Sequence, residues 1–512
     1  MSVAARIPPR PASRVNIAEV LLDDRRSVTG ERPAIRFPGG EWTLEGLAER
    51  VGALAGGLRE RGVAHGDRVA LALPDAPSWV VAFLALMRVG AVAALVPVSL
   101  PRERLSDVVA RARPALVISN DPGLAPQLAS ICPSDPGVGD GRDPGPATTR
   151  GADPAYLLLT SGSTGPPKWA IHRHRDIPSC LATYGRHVLR LRPGDVTYSS
   201  ASLASSYGLG NSLYFPLGAG ACAWIDGARP TPSQAADACV QGGVTAMFGV
   251  PTFWARLARH AVEGRVVREA FADVRLAVSA GEPLPVAVFD AVRAQLGFQL
   301  VDGLGSSEAT NLYLSNRPGR VIRGSVGRVV PGFEARVCDL DDQPLASREV
   351  GQLLVRGDSV MAGYLGEDAA TRRALAGGWL HTGDLVKRED DGVFLFVGRV
   401  GDRFKSGGLW VDPHRVAAVL VEHARVTEAV VFGMPDRDGV ARVVAVVAAA
   451  DDSRDLEGEL AVFASSRLAA HEVPRVYAIV PELPTAPSGK VRKDEAARLG
   501  ATALTRESNG VA

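Results

Sequence analysis

Cysteine is scarce in this chain and never clustered. Cys132, Cys180, Cys222, Cys239 and Cys338 stand far apart with no Cys-x-x-Cys among them. That argues against a disulfide framework and against structural zinc, and suits a reducing compartment. A surplus of charge is missing too. Against 57 Lys and Arg there are 56 Asp and Glu, a net charge of +1, so there is no electrostatic case for nucleic acid or an acidic membrane surface. A long unbroken apolar run is also absent. The most apolar stretch, WVVAFLALMRVGAVAALVPV at 79–98, is interrupted by Arg88, Gly90 and Pro97. A central arginine is costly in lipid, so the stretch reads as a buried helix, a break at Gly90 and a buried strand. The opening MSVAARIPPRPASR is basic and Pro-rich without an apolar core and does not read as a secretory signal. No internal repeat is visible. These absences together predict a cytoplasmic protein without membrane or nucleic-acid partners.

What is present is a chain of 512 residues, 46% hydrophobic and 22% charged. Such a length exceeds what one core supports, so two or more domains are expected. Residues 43–64 carry apolar residues at helical spacing, and 68–73 (RVALAL) reads as a strand. Helix-like and β-rich runs then alternate over 79–89, 92–98, 101–112 and 115–119, which implies βαβ units and a mainly parallel sheet. The Asp-, Gly- and Pro-rich segment 133–153 reads as a surface loop. From about 325 to 399, short β-rich runs suggest a small β subdomain. A compact α/β unit follows, with a helix around 413–422, strands near 427–433 and 442–449, a helix near 456–470 and a strand near 476–480. The last dozen residues read as frayed. The fold class is α/β: an N-terminal domain over 1–399 and a small domain over 400–512, divided near 399–402.

One loop raises the question of chemistry. LLLTSGSTGPPKWAIHRH, 157–174, places Thr160, Ser161, Gly162, Ser163, Thr164 and Gly165 between an apolar run and Lys168. Backbone N–H groups of a Gly-rich turn form an anion nest, and hydroxyls add donors. The spacing does not match the P-loop fingerprint; the loop by itself favours phosphate, with a flexible Ser/Gly connection as the alternative. Three distant stretches favour phosphate. GLGSSEATNLYLSN, 303–316, sets Glu308 in a turn of small residues. GWLHTGD, 378–384, ends in Asp384. PTAPSGKVRK, 484–493, puts Lys490 behind Gly489 where nothing structural requires a lysine.

Together, loop, acidic turn, HTGD, Gly398-Arg399 with Lys405, and PSGK resemble the adenylate-forming superfamily of acyl-CoA synthetases, aryl-CoA ligases, adenylation domains and luciferase. The resemblance covers about residues 30–495. SYGLGNSLYFPLGAGA (206–221), FGVPTFWARL (248–257), SAGEPLP (279–285) and SEATNLYLSN (307–316) look most like the benzoate-CoA ligase branch. The resemblance implies that a carboxylate attacks the α-phosphate of ATP, giving acyl-AMP and pyrophosphate, and that a thiol then displaces AMP. It implies that residues 160–165 and Lys168 hold the β- and γ-phosphates, and that Glu308 holds Mg²⁺. Asp384 would accept from the ribose hydroxyls with help from Arg399. Gly281, Glu282, Pro283 and Asp302, Gly303 and Leu304 would frame the adenine, with Ser307 and Lys405 also at the nucleotide. Lys490 would bridge carboxylate and α-phosphate in the first step only, so the small domain must turn before the thiol enters.

Two positions depart from the family pattern. Gly401 stands where an Asp is common, in GRVGDRFK; glycine permits the rotation a hinge requires. Trp169 replaces the usual Gly after Lys168 and is expected to pack on the neighbouring sheet rather than crowd the loop. His172 and His174 are expected to be structural or to line the site, and Phe253 and Trp254 to be core, with one edging the pocket.

For the acid, the family's amino-acid-activating members place an Asp near 203–207, and SLASSYGLGN has none. A buried ammonium without a counter-charge is costly, so an amino acid is disfavoured. The expected pocket comprises Ser205, Ser206, Tyr207, Gly208, Gly305, Asn311 and Leu312. Aromatic bulk is replaced there by hydroxyls and an amide. Either these groups bond a hydroxyl or amino substituent of a benzoate or heteroaryl acid, or Ser205, Ser206 and Asn311 satisfy one another and water. The acceptor thiol is either CoA or the phosphopantetheine of a separate carrier protein. Other readings are an amine or other acceptor nucleophile, AMP transfer to another anion, or a silent nucleotide binder, against which Lys490 argues. A homodimer is left open.

Overall fold

The computed structural model describes residues 14–133, 139–160, 167–227, 231–402, 404–406, 409–436, 440–449, 455–485 and 491–510. The calls on Ser161, Gly162, Ser163, Thr164, Gly165 and Lys490 therefore lie outside the described residues.

The N-terminal part starts from amphipathic helices laid on parallel strands. Thr43 caps the helix Leu44–Glu60 by accepting from the Gly46 N–H, and its Leu47, Val51, Leu54 and Leu58 are buried. The helix Pro77–Val89 is buried from Trp79 onward and ends at Gly90, and the strand Val92–Leu95 follows, as the interrupted apolar run predicts. No helix among the described residues is long and apolar enough to cross a membrane. Arg88 survives inside because two carboxylates meet it. Asp143 takes its Nε and Nη2 at 2.7 Å each, and Asp23 takes Nη1 at 2.9 Å. Asp143 belongs to the segment read as a surface loop. Its described part is a mostly exposed loop, as read, but it is also seated on the long helix. A Cβ at Gly56 would stand 2.4 Å from the Arg142 carbonyl oxygen, and one at Gly52 would stand 2.8 Å from the Asp143 carboxyl carbon. A buried guanidinium must be paired, and only a distant segment supplies the charge.

Among the described residues, two large sheets carry the site. The first runs in the order Gly363–Tyr364, Trp169–Arg173, Pro154–Leu159, Val92–Leu95, Arg68–Ala72, Leu116–Ser119, Ala129–Ile131. It is parallel from Pro154–Leu159 onward. The second runs Arg328–Val329, Leu312–Ser315, Leu300–Gly305, Leu276–Ser279, Ala246–Gly249, Val196–Ser199, Cys222–Trp224, Pro33–Phe37, Gly40–Thr43, with a parallel centre. A four-stranded antiparallel sheet joins Phe333–Cys338, Val350–Gly357, Leu380–Arg388 and Phe394–Arg399. Beyond Arg399, a small pair (Phe404–Ser406, Leu409–Val411) precedes a three-stranded sheet of Val426–Pro435, Ala441–Ala449 and Val476–Val480.

Two readings change at the C-terminal end. The helix expected over 456–470 is Leu456–Ser465. The tail read as frayed is helical from Lys493 to Gly510. Its pattern is weak because contact is made through small residues. Ala496 is buried, and a Cβ on Gly500 would meet Val444 and Met434 at 3.0–3.1 Å.

Trp169 packs as expected. It is 3% exposed among Val108, Ala94 and Leu157, and its Nε1–H donates to the Val108 carbonyl at 3.3 Å.

Candidate active site

Open α/β sheets bind ligands beyond the carboxyl ends of their strands, and the sequence-predicted residues fall there. Thr160 follows Pro154–Leu159, Gly281 follows Leu276–Ser279, and Glu308 follows Leu300–Gly305. The strand pair Pro154–Leu159 and Trp169–Arg173 is antiparallel, which closes the neck of the quoted loop. The Thr160 N–H donates to the Lys168 carbonyl at 2.9 Å, and the Lys168 N–H donates to Thr160 Oγ1 at 3.2 Å. Lys168 Nζ lies 5.5 Å from the centre of the Tyr364 ring, and the Tyr364 hydroxyl donates to Glu308 Oε1 at 2.9 Å. Lysine, tyrosine and glutamate thus come from three segments far apart in sequence.

The turn around Glu308 is held from beneath. The buried His172 touches the Ser307 carbonyl through Nε2 at 2.8 Å, and Asp176 and Thr310 through Nδ1 at 3.1 and 2.9 Å. Thr310 has a φ of 68°, unusual for a threonine, and its hydroxyl lies 3.1 Å from the Ser359 carbonyl. His172 is thus structural, anchoring the acidic turn. His174 accepts from the Ile17 N–H at 3.3 Å, and burial lowers its pKa to about 4.

Asp384 and Arg399 face each other across paired strands. The Arg399 Nε–H donates to Asp384 Oδ1 at 3.0 Å, and the Tyr313 hydroxyl donates to Oδ2 at 3.1 Å. Burial raises the Asp384 carboxyl above the usual range, against the pull of Arg399 and Tyr313. Gly401 is exposed just beyond. Asp402 follows, held by His414 Nε2 at 2.9 Å and Lys493 Nζ at 2.7 Å. These bonds keep its carboxyl well below the usual range. Lys405 is exposed on Phe404–Ser406.

Around the expected adenine site, Gly281 has a φ of 94° and Pro283 is exposed. Both Glu282 oxygens are engaged within the chain. Oε2 accepts from the Thr252 hydroxyl at 2.8 Å, and Oε1 accepts from the Val491 N–H at 3.1 Å. Asp302 is buried, its Oδ1 without a partner among the described residues, and burial holds its carboxyl well above the usual range. Gly303 and Leu304 lie on the same strand, paired with Ser315 and Leu314.

At the expected acyl pocket, Ser205 caps the short helix Ser206–Leu209. It accepts from the Gly208 N–H at 3.1 Å and donates to the Ser202 carbonyl at 2.7 Å. Gly208 is obligatory here, since a Cβ would stand 2.0 Å from that carbonyl oxygen. Ser206 is half-buried. The buried Tyr207 donates to the Val278 carbonyl at 3.1 Å. Asn311 donates to the Tyr214 hydroxyl at 3.1 Å and accepts from the Leu312 N–H at 2.8 Å. Gly305 pairs with the buried Leu312, and a Cβ there would clash with the Asn311 carbonyl. Phe253 and Trp254 are buried, with the Trp254 Nε1–H 3.1 Å from the Gly249 carbonyl.

Sequence reasoning missed Tyr364, Tyr313, Thr252 and Asn211. Tyr364 and Tyr313 lie in ordinary strand patterns. Asn211 is one helical turn beyond Tyr207, fully buried, with neither amide atom in a well-formed hydrogen bond among the described residues. A buried amide in a helix is invisible to periodicity.

The sheet order and a carboxylate–lysine–tyrosine cluster at the strand ends mark an α/β enzyme. The chain belongs to the AMP-binding enzyme family, whose main domain matches residues 22–365 and whose C-terminal domain matches 415–490. It is 33% identical to a 4-hydroxybenzoate–CoA/benzoate–CoA ligase of Rhodopseudomonas palustris, over 88% of this chain and 87% of that one. It is 35% identical to a p-hydroxybenzoic acid–AMP ligase of Mycobacterium tuberculosis over 85% of this chain, which spans 62% of that longer relative. A crystal structure of an anthranilate CoA ligase in complex with anthranoyl-AMP superposes with a TM-score of 0.87 at 27% identity, covering 96% of this chain and 99% of that one.

Proposed function

We propose that the protein is an ATP-dependent aryl-acid–CoA ligase. The observation that carries the reading is the convergence of Lys168, Tyr364 and Glu308 at the strand ends, beside the pair of buried Asp384 and half-buried Arg399. The relatives named as 4-hydroxybenzoate/benzoate and anthranilate CoA ligases support the substrate class and the acceptor.

In the first step a carboxylate oxygen bonds to the α-phosphorus of ATP, and the bond to the β-phosphate bridging oxygen breaks. Two anions meet, so charge neutralisation governs the rate. Lys168 and the loop from Thr160 to Gly165 hold the β- and γ-phosphates, and Lys490 bridges carboxylate and α-phosphate. No cluster of three or more metal-ligating side chains exists among the described residues. A single carboxylate completed by phosphate oxygens suits Mg²⁺, so Glu308, oriented by Tyr364, is the residue that would hold it. The ion would supply Lewis-acid charge neutralisation at the phosphates. Asp384, with Arg399, receives the ribose hydroxyls, and Asp302 faces the adenine. In the second step the CoA sulfur attacks the acyl carbon and AMP leaves with the bonding pair.

For the acid we favour hydroxy- and aminobenzoates. Ser205 and Asn311 have partners within the chain, but the Asn211 amide, beside the Tyr207 hydroxyl, makes no well-formed hydrogen bond among the described residues. A polar substituent offers it one.

The test is acid-dependent pyrophosphate release across benzoate, hydroxybenzoates, anthranilate and a heteroaryl acid, with and without CoA. Proline and a medium-chain fatty acid serve as controls. Release with the aryl acids, faster turnover with CoA, and loss in Lys490→Ala are expected. An Asn211→Leu variant should lose the preference for substituted rings. Release indifferent to CoA would point to a carrier protein, and no release with any acid would refute the reading.

A further inference from the structure

One helix of the N-terminal part, Pro251–Val262, carries two contacts to the C-terminal part. Thr252 and Arg256 lie four residues apart, hence on one face. Thr252 fixes Glu282 through its hydroxyl at 2.8 Å and its N–H at 3.3 Å. The other Glu282 oxygen receives the N–H of Val491, one residue after Lys490, at 3.1 Å. One turn on, the Arg256 Nε–H donates at 3.0 Å to Oε1 of Glu428, on the strand Val426–Pro435. The Glu428 side chain is 9% exposed and that of Arg256 24%. Neither Glu428 Oε2 nor Arg256 Nη2 has another partner among the described residues. Each is the other's hydrogen-bonded partner, with Arg259 and Glu282 also acting on Glu428 at longer range, and the pair depends on this placement of the two parts.

We propose that Arg256 and Glu428 form an interdomain latch which, with the Glu282–Val491 bond, selects the arrangement used for adenylation. The proposal rests on the two-step ligase reading and names positioning residues for its first step. A desolvated ion pair adds little net stability, but it penalises every arrangement that leaves one charge buried alone. It therefore acts on orientation. Turning the C-terminal part breaks the pair and lets water reach both charges, so the latch does not trap the enzyme after adenylation. Removing Arg256 leaves Glu428 buried and unpaired, and removing Glu428 leaves a half-buried Arg256 without its carboxylate, in the adenylating arrangement alone.

The half-reactions separate this from general damage. Pyrophosphate release is measured in a single turnover with 4-hydroxybenzoate and ATP, and thioester formation from synthetic 4-hydroxybenzoyl-AMP and CoA. Glu428→Gln and Arg256→Met are each expected to slow adenylation about tenfold, the scale of one lost charged hydrogen bond. Thioester formation should stay within about twofold. The double variant Arg256→Met/Glu428→Met is expected to be no slower than the worse single, because no charge is left stranded. Hydrogen exchange of the full chain without substrates provides a readout independent of activity. Amides of 491–500 should exchange faster in each single variant than in the parent. If both half-reactions fall together, if the variants' losses multiply, or if exchange over 491–500 is unchanged, the latch is refuted. If the parent adenylates no acid but the single variants still loosen 491–500, the latch stands and the ligase reading falls.

Discussion

At the scale of single residues, much of the site is held by side chains that are not expected to touch substrate. Tyr364 is the clearest case. Its hydroxyl fixes one oxygen of Glu308 while its ring lies against Lys168. Tyr364→Phe keeps the ring and loses a hydrogen bond to a charged group, worth about 1.5–3 kcal/mol. Adenylation is expected to slow by about tenfold or more, with a raised KM for ATP and little change in thermal midpoint; steady-state pyrophosphate release and thermal unfolding check both. His174 supplies a pH dependence. Burial lowers its pKa from 6.5 to about 4. Between those values the unfolded chain binds a proton that the folded chain refuses, so this contribution to stability is lost as pH falls from 6.5 toward 4. The loss amounts to about 3 kcal/mol. His174→Asn keeps an acceptor for the Ile17 N–H and cannot charge. Its thermal midpoint should fall less than that of the parent between pH 7 and pH 5, and equal slopes would contradict the assignment.

At the scale of elements, close approach decides more than propensity. Gly52 and Gly56 weaken the helix Leu44–Glu60 by roughly 1 kcal/mol each relative to alanine. On an exposed helix, Gly→Ala would therefore stabilise. Here the backbone of 141–142 lies where the Gly56 Cβ would go, and backbone cannot swing aside as a flexible side chain can. Gly56→Ala is accordingly expected to destabilise by about 1–3 kcal/mol, measured by denaturant unfolding. The segment it would displace carries Asp143, one of the two counter-charges of the buried Arg88, so the cost reaches the helix Pro77–Val89 as well. Trp169 shows the same rule in reverse. A large ring beside the proposed phosphate loop is tolerated because it packs beneath the helix Arg102–Ala112, where its N–H finds the Val108 carbonyl.

At the scale of the whole molecule, the proposed two-step reaction needs two arrangements of one chain. Gly401 sits at the proposed turning point. Directly after it, Asp402 is tied to His414 and Lys493, so rotation at Gly401 can occur while Asp402 moves with the C-terminal part. Gly401→Pro would fix φ near −65°. Adenylation is expected to persist while thioester formation slows by on the order of tenfold or more. Separate assays of the two half-reactions decide this, and equal rates in both would remove Gly401 from the mechanism.

The sequence by itself determined the α/β class, the alternation of helices and strands through residue 120, and the motifs at Thr160–Lys168, Glu308, Asp384 and Lys490. These features are local. Hydrophobic period, loop composition and motif spacing are written in contiguous residues. Only the tertiary structure decided that His172 supports the Glu308 turn, that Tyr364 joins Lys168 to Glu308, and that Asp143 of the exposed loop pairs with the buried Arg88. It also showed the C-terminal helix, whose seat on the sheet is made by alanine and glycine. In each case the partner lies far away in sequence or the contact is made by residues too small to leave a pattern. Whether a buried polar group is satisfied depends on a neighbour that no local window contains.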